Sequence, residues 1–203
     1  SEVGGDYYDF LNYEDGTPLV VCGDATGHGM ASGMLVSVTK SGLYSLEDCL
    51  PDVILSRINR TIKKVNVGML RMSLLAMRLE ASKIIWSAAA MPPVYIYRAA
   101  TNIVEEYLYS ELPLGAFRNQ RYELHESAIR KGDIILILSD GLPEAPNAKG
   151  ELFEYDRVKE MMRVYGSKGA EIVAHELELI SKKWLGNQTT PDDITFVVME
   201  RTS

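Results

Sequence analysis

The chain has 203 residues, 46% of them hydrophobic and 24% charged, with a formal net charge of −7. That length can bury a sizeable core, and the acidic balance argues against a nucleic-acid binder, which needs a basic footprint. No apolar run approaches a membrane span and no signal-peptide pattern opens the sequence, so a cytoplasmic domain without membrane contact is expected. The start at Ser1-Glu2-Val3, without an initiator Met, suggests one domain over residues 1–203 excised from a longer regulated protein. Cys22 and Cys49 follow no metal-ligand or redox spacing and read as reduced, largely buried thiols. With His28, His125 and His175 they build no zinc site.

Asp6 to Tyr13 reads as a strand, Glu14-Asp15-Gly16 as a three-residue hairpin loop, and Leu19 to Cys22 as the core of a second strand. Met30 to Leu46 has helical spacing, with apolar residues at Met30, Met34 and Val38 and at Leu35, Leu43 and Leu46, and Ala31, Ser32 and Gly33 small enough for close packing. Pro51 suits the first turn of a second helix, which runs to about Val67 and ends at Gly68. A run of strands follows: Met72 to Leu79, Ile84 to Ala90, Val94 to Arg98 after an interruption at Pro92-Pro93, and Val104 to Leu108. Leu112-Pro113-Leu114-Gly115 is a rigid loop. Tyr122 to Ile129 and Asp133 to Ser139 read as an antiparallel pair around Lys131-Gly132. Two amphipathic helices, Tyr155 to Val164 and Lys168 to Trp184, precede a polar loop at Gly186 to Pro191 and a last strand, Ile194 to Glu200. The order of elements predicts α+β layers with mainly antiparallel sheets.

The chain is organised around Gly23-Asp24-Ala25-Thr26-Gly27-His28-Gly29, where a buried strand turns sharply into a helix. Its glycines allow a tight bend or close approach to a ligand. If Tyr13 faces Thr17 across the hairpin, counting back places Asp6 opposite Asp24. Like charges across a ladder repel, and a cation between them reverses the penalty. Strand-terminal Asp and Gly-rich turns usually mark only turns; two Gly-Asp tandems facing each other point to a site. Asp140 and Asp192-Asp193 stand at further strand ends beside Gly or Pro. Oxygen donors of this kind suit Mg²⁺ or Mn²⁺ rather than zinc or copper. Two ions sharing a carboxylate would make a two-metal hydrolytic site.

These residues carry a family resemblance over essentially the whole chain. Val3-Gly4-Gly5-Asp6-Tyr7-Tyr8-Asp9, the Gly23 to Gly29 segment, Leu112-Pro113-Leu114-Gly115, Ser139-Asp140-Gly141 with Glu144-Ala145, and Asp192-Asp193-Ile194-Thr195 appear in order. Together they resemble the SpoIIE/RsbU branch of the metal-dependent serine/threonine phosphatases, bacterial relatives of protein phosphatase type 2C. The resemblance implies a four-layer αββα sandwich and two Mn²⁺ or Mg²⁺ ions bridged by Asp24. It gives the Ala25 carbonyl as a further ligand, Asp6 to one ion, and Asp140 and Asp192 to the other. Asp193 is a secondary candidate, since the family tolerates Asn there. A metal-activated water would be the nucleophile, with no phosphoenzyme.

The sequence also departs from the family pattern. Ser87-Ala88-Ala89-Ala90-Met91-Pro92 stands where many members carry Asn-Ala-Gly-His-Asn-Pro, and Glu144 where eukaryotic relatives often have Asp. His28 lies two residues later than the eukaryotic motif histidine, which weakens its carry-over as general acid. Arg71, Arg118 and Arg121 flank loops and are candidates for the phosphate. His125 and His175 read as ordinary core or surface residues, the methionines as gap-filling core, and Glu176, Glu178, Lys182 and Lys183 as a solvated helix face.

The resemblance implies a phosphatase acting on a phosphorylated STAS-domain anti-sigma-factor antagonist. A sensor or oligomerisation module is expected upstream, with a homodimer left open. A catalytically weak module that binds the same partner is the alternative, and a small-molecule phosphoesterase a third reading.

Overall fold

The computed structural model describes residues 4–186, 190 and 192–203. Val3 of the first motif and most of the loop at Gly186 to Pro191 lie outside the described residues. In chain order the elements are β1 (Asp6–Asn12), β2 (Pro18–Ala25), α1 (Met30–Tyr44), α2 (Pro51–Val65), β3 (Met72–Leu79), β4 (Lys83–Ala89) and β5 (Val94–Arg98). After these come β6 (Ile103–Tyr107), β7 (His125–Ala128), β8 (Ile134–Leu138), α3 (Tyr155–Tyr165), α4 (Ala170–Leu185) and β9 (Phe196–Glu200). They form two compact units. The first runs to Met91 and resumes over Tyr109–Ala128; the second comprises Pro92–Leu108 and Ile129–Ser203.

The first unit is an antiparallel sheet in the order β1-β2-β3-β4-β7, with α1 and α2 packed on one face. Strand alternation sends Leu19, Val21, Leu74 and Ala76 into a cluster with Leu55, Ile58 and Ile62 of α2. Burying each Leu, Ile or Val side chain of this cluster stabilises the fold by about 1.5–3 kcal/mol. Pro51 opens α2 at its first turn, as expected. The helix closes earlier than Gly68: Asn66 adopts the left-handed conformation (φ 57°) and its N–H donates to the Ile62 carbonyl. Asn tolerates that conformation better than most residues.

The expected α1 face is buried at Leu35 and Leu43, with Val38 and Leu46 packed against the same core, but not at its two methionines. The buried stripe is Ser32, Leu35, Thr39, Gly42 and Leu43, whereas Met30 and Met34 are 82% and 55% exposed. A Cβ on Gly42 would lie 3.7 Å from Ile58 Cγ1, an ordinary van der Waals contact, so this position faces α2. Met72 and Met77 are core residues, but Met69 is 85% exposed.

The second unit is an antiparallel sheet in the order β6-β5-β8-β9, with α3 and α4 contributing to its core. Tyr95, Tyr97, Leu136 and Leu138 meet Val158, Met162, Val173 and Leu177 there. A Cβ on Gly166 would sit 2.4 Å from the Tyr97 ring, so the chain after α3 closes onto this core only without a side chain.

Two expectations about connections are corrected. β7 does not pair with β8: it pairs with β4, while β8 pairs with β5 and β9. Between them the chain makes a turn in which the Asp133 N–H donates to the Arg130 carbonyl, and Gly132 donates to Arg201. The buried Asp133 carboxylate accepts from Arg98, Ala99 N–H and Arg130 N–H, anchoring the start of β8 in the second unit. Pro92-Pro93 likewise marks a change of sheet rather than an interruption within one, since β4 and β5 belong to different sheets.

Candidate metal centre

Within the first unit the hairpin sets the geometry. Tyr13 N–H donates to Thr17 at 2.9 Å and Gly16 closes the turn at φ 82°, so the register runs without a bulge to Asp6 opposite Asp24. One oxygen of each carboxylate, Oδ1, is shielded from solvent. Gly5 forms a close wall to this pair. A Cβ there would lie 2.5 Å from the Ala25 carbonyl oxygen and 2.7 Å from Asp24 Oδ1. Ala25 N–H donates to the Gly5 carbonyl at 3.0 Å, and Thr26 exchanges hydrogen bonds with Arg71 immediately after. The Asp24-Ala25 corner is therefore fastened on both sides. Burial and the charges of Asp6 and Asp24 push the Cys22 thiol up to about 12. Glycines at positive φ, Gly27 and Gly29, then bend the chain into α1, and His28 between them is exposed.

Asp140 in the second unit follows β8 at a corner fixed against the start of β9. Ser139 N–H donates to the Thr195 carbonyl at 2.9 Å, and Thr195 N–H returns to Ser139 Oγ at 3.1 Å. Gly141 is required at the crossing, since a Cβ would meet the Asp193 carbonyl oxygen at 1.8 Å. Burial, then the neighbouring Asp192 charge, raises the Asp140 pKa. Glu144 is raised by burial and by both aspartates, and Tyr155 is pushed up to about 12 by burial, Asp140 and Glu144. Asp193 N–H donates to Asp192 Oδ1 at 2.8 Å, so the backbone of Asp193 orients its neighbour's carboxylate.

Each unit thus gathers carboxylates whose charges repel, at strand ends with glycine-lined backbone. Oxygen-only donors under mutual repulsion fit a hard divalent cation. Of the arginine candidates, Arg71 spends its guanidinium on the Gly68 and Leu70 carbonyls, and Arg118 and Arg121 are exposed. His175 is exposed on α4, whereas His125 stacks on Trp86 with centroids 5.6 Å apart. Cys22 is buried and Cys49 half-buried, both as free thiols.

One supporting residue escapes sequence reasoning. Asn59, fully buried on α2, donates through Nδ2 to the Phe117 carbonyl and accepts from Gly115 N–H through Oδ1, at 2.8 and 2.7 Å. It holds the Leu112 to Gly115 loop, whose Leu114 bridges to Met72 beside Arg71. The available signal was a lone amide on the apolar face formed by Leu55, Ile58 and Ile62. In the divergent segment, Ser87 Oγ donates to the Glu123 carbonyl, and Ala90 stands at φ 53°.

The family model described as stage II sporulation protein E (SpoIIE) matches residues 14–202. The chain belongs to the SpoIIE family. Phosphoserine phosphatase RsbU of Bacillus subtilis (strain 168) is 24% identical over 204 residues, covering 98% of this chain and 60% of RsbU. The SpoIIE-family chain therefore spans about three fifths of that relative's length. The SiaA-PP2C domain of Pseudomonas aeruginosa superposes with a TM-score of 0.86 at 18% identity, over 98% of this chain and 81% of that one. The structure of the PP2C phosphatase domain and a regulatory-domain fragment of Bacillus subtilis SpoIIE gives 0.76 at 21% identity, covering 98% and 58%. The fold of the SpoIIE-family chain is that of PP2C phosphatase domains. Among the described residues no helix is long and apolar enough to cross a membrane.

Proposed function

We propose that this SpoIIE-family domain is a protein-serine/threonine phosphatase that needs Mn²⁺ or Mg²⁺, two ions per site. The observation that carries the reading is the direct opposition of Asp6 and Asp24 across an antiparallel ladder. Two carboxylates so placed cost stability unless a cation lies between them. Asp24 would be a donor common to both ions, with Asp6 and the Ala25 carbonyl as further donors and Asp140 and Asp192 serving the second. Asp193 acts through its backbone on Asp192 and is a weaker donor candidate. When bound, divalent ions lower the pKa of a coordinated water and neutralise phosphoryl oxygens. The chain's part is to hold five oxygen donors at fixed corners, through Gly5, the Thr26–Arg71 clamp and the Ser139–Thr195 exchange. His28, exposed between Gly27 and Gly29, has at most a minor role as a proton donor.

The relative RsbU is named a phosphoserine phosphatase, which supports phosphoserine and phosphothreonine as the substrate class. We assign the substrate to a cytoplasmic regulatory protein, a phosphorylated STAS domain, presented to a domain controlled by an upstream module. Because a phosphomonoester offers little identity, discrimination must come from contact around the site. The test is phosphate release from p-nitrophenyl phosphate, from an intact phospho-STAS domain and from a phosphoserine peptide cut from it, each with and without Mn²⁺. Hydrolysis should require the metal and favour the intact domain. Full activity after exhaustive chelation overturns the metal reading, and equal efficiency on domain and peptide overturns the docking.

A further inference from the structure

A second surface feature lies within the second unit, on the seam between α3 and α4. Arg157, Met161 and Val164 on α3, at i, i+4 and i+7, face Ile180 and Trp184 on α4, at i and i+4, across a trough of about 540 Å³. Phe153 closes its floor, edge-on to Trp184 at 5.4 Å. Helix faces with this spacing ordinarily belong against another helix. Val164 instead is 42% exposed.

The rim is basic although the chain carries −7. Lys149 and Lys183 line it, and neither makes an ion pair among the described residues. Arg157 lies 4.7 Å over the Trp184 ring and donates to the Leu152 and Phe153 carbonyls, which orient its charge without neutralising it. The one acid of the lining, Glu160, is already held by Arg163. An apolar floor bearing Trp and Phe, with Arg and Lys around it, has the composition of a helix-receiving groove for an acidic partner.

We propose that this trough docks an acidic amphipathic helix of a partner protein. Apolar residues at i, i+4 and i+7 of that helix would cover Val164, Ile180 and Trp184 above the buried Phe153 and Met161, with Glu or Asp on its flanks meeting Lys149, Arg157 and Lys183. The stretch from Arg157 to Val164 rises about 10 Å, so two to three turns fill it. The inference concerns recruitment and stands apart from the hydrolytic reading.

The test uses the whole 203-residue chain and a labelled, stapled helical peptide with Leu at i, i+4 and i+7 and Glu on both flanks. Its counterpart carries Lys for each Glu, and binding is read by fluorescence anisotropy at low and high salt. The acidic peptide should bind about tenfold or more tighter than the basic one and weaken with salt. Lys149→Glu with Lys183→Glu should abolish or reverse that preference, and Val164→Asp should weaken both peptides. Circular dichroism and p-nitrophenyl phosphate hydrolysis should stay at wild-type levels in every variant. Equal binding of the two peptides, binding by neither, or indifference to the lysine substitutions overturns the proposal. So does sedimentation showing a dimer that Val164→Asp dissociates, which would assign the face to a second copy.

Discussion

Replacing Gly5 by Ala tests how tightly the Asp6–Asp24 corner is built. The new Cβ would lie 2.5 Å from the Ala25 carbonyl oxygen and 2.7 Å from Asp24 Oδ1, and relaxing the tighter carbon–oxygen contact to about 3.3 Å needs a shift of roughly 0.8 Å. Neither neighbour moves freely, since Ala25 N–H is bound to the Gly5 carbonyl itself and Thr26 is fastened to Arg71. Overpacking of this kind costs about 1–3 kcal/mol, which lowers the Tm of a chain this size by about 2–12 °C. The same shift exceeds the roughly 0.2 Å tolerance of a metal–ligand bond, and disturbing groups that orient ligands costs about 10–100-fold in metal affinity or activity. The assay is a Mn²⁺ titration of phosphatase activity alongside thermal melts of the metal-free protein. Gly16→Ala is the control: it too is strained, at φ 82° in the hairpin turn, but its Cβ meets nothing within 4 Å. It should lower Tm and leave the Mn²⁺ half-saturation unchanged. A Gly5→Ala protein with wild-type Tm and wild-type Mn²⁺ requirement would refute the reasoning.

Burial and Asp192 raise the Asp140 pKa, so the folded state holds that proton more tightly and ionised Asp140 costs stability. The cost is fully present above the raised folded pKa and gone below the unfolded one, so metal-free Asp140→Asn should melt higher than wild type at about pH 7 and equal to it at about pH 3; a gain that persists in acid contradicts this. Asp24→Asn should reduce turnover more than Asp6→Asn or Asp192→Asn, by about 10²–10³-fold or beyond, without lowering metal-free stability; steady-state kinetics and urea unfolding check both halves. Asp193→Asn keeps the backbone N–H that orients Asp192, so its kinetics should stay far closer to wild type than those of Asp192→Asn. For His28→Ala a few-fold loss at most is expected, against the roughly 10²–10⁴-fold of a general acid; a pH–rate profile that loses a limb on substitution would reverse that assignment.

Local chemistry alone determined a good deal of this protein. The three-residue turn at Glu14-Asp15-Gly16 sets the hairpin register, and strand periodicity of two then carries Asp6 to Asp24 without knowledge of any other element. Pro51 and the Asp-Gly corners were legible for the same reason: each expresses a steric or burial preference of a few adjacent residues. Tertiary structure decided what depends on distant partners. The apolar positions of α1 spread too widely for one face, and only its packing in the core settles that Leu35 and Leu43 go inside with Ser32, Thr39 and Gly42 while Met30 and Met34 stay outside. β7 and β8 look like a hairpin in one dimension, but the demand of buried Asp133 for Arg98, Ala99 and Arg130 sends them into different sheets. Asn59 and Gly166 owe their roles to a loop and a tyrosine ring more than fifty positions away in the chain. Hydrogen-bond satisfaction and close packing across such separations leave no periodic trace in sequence, because the partner that imposes the constraint is chosen by the fold.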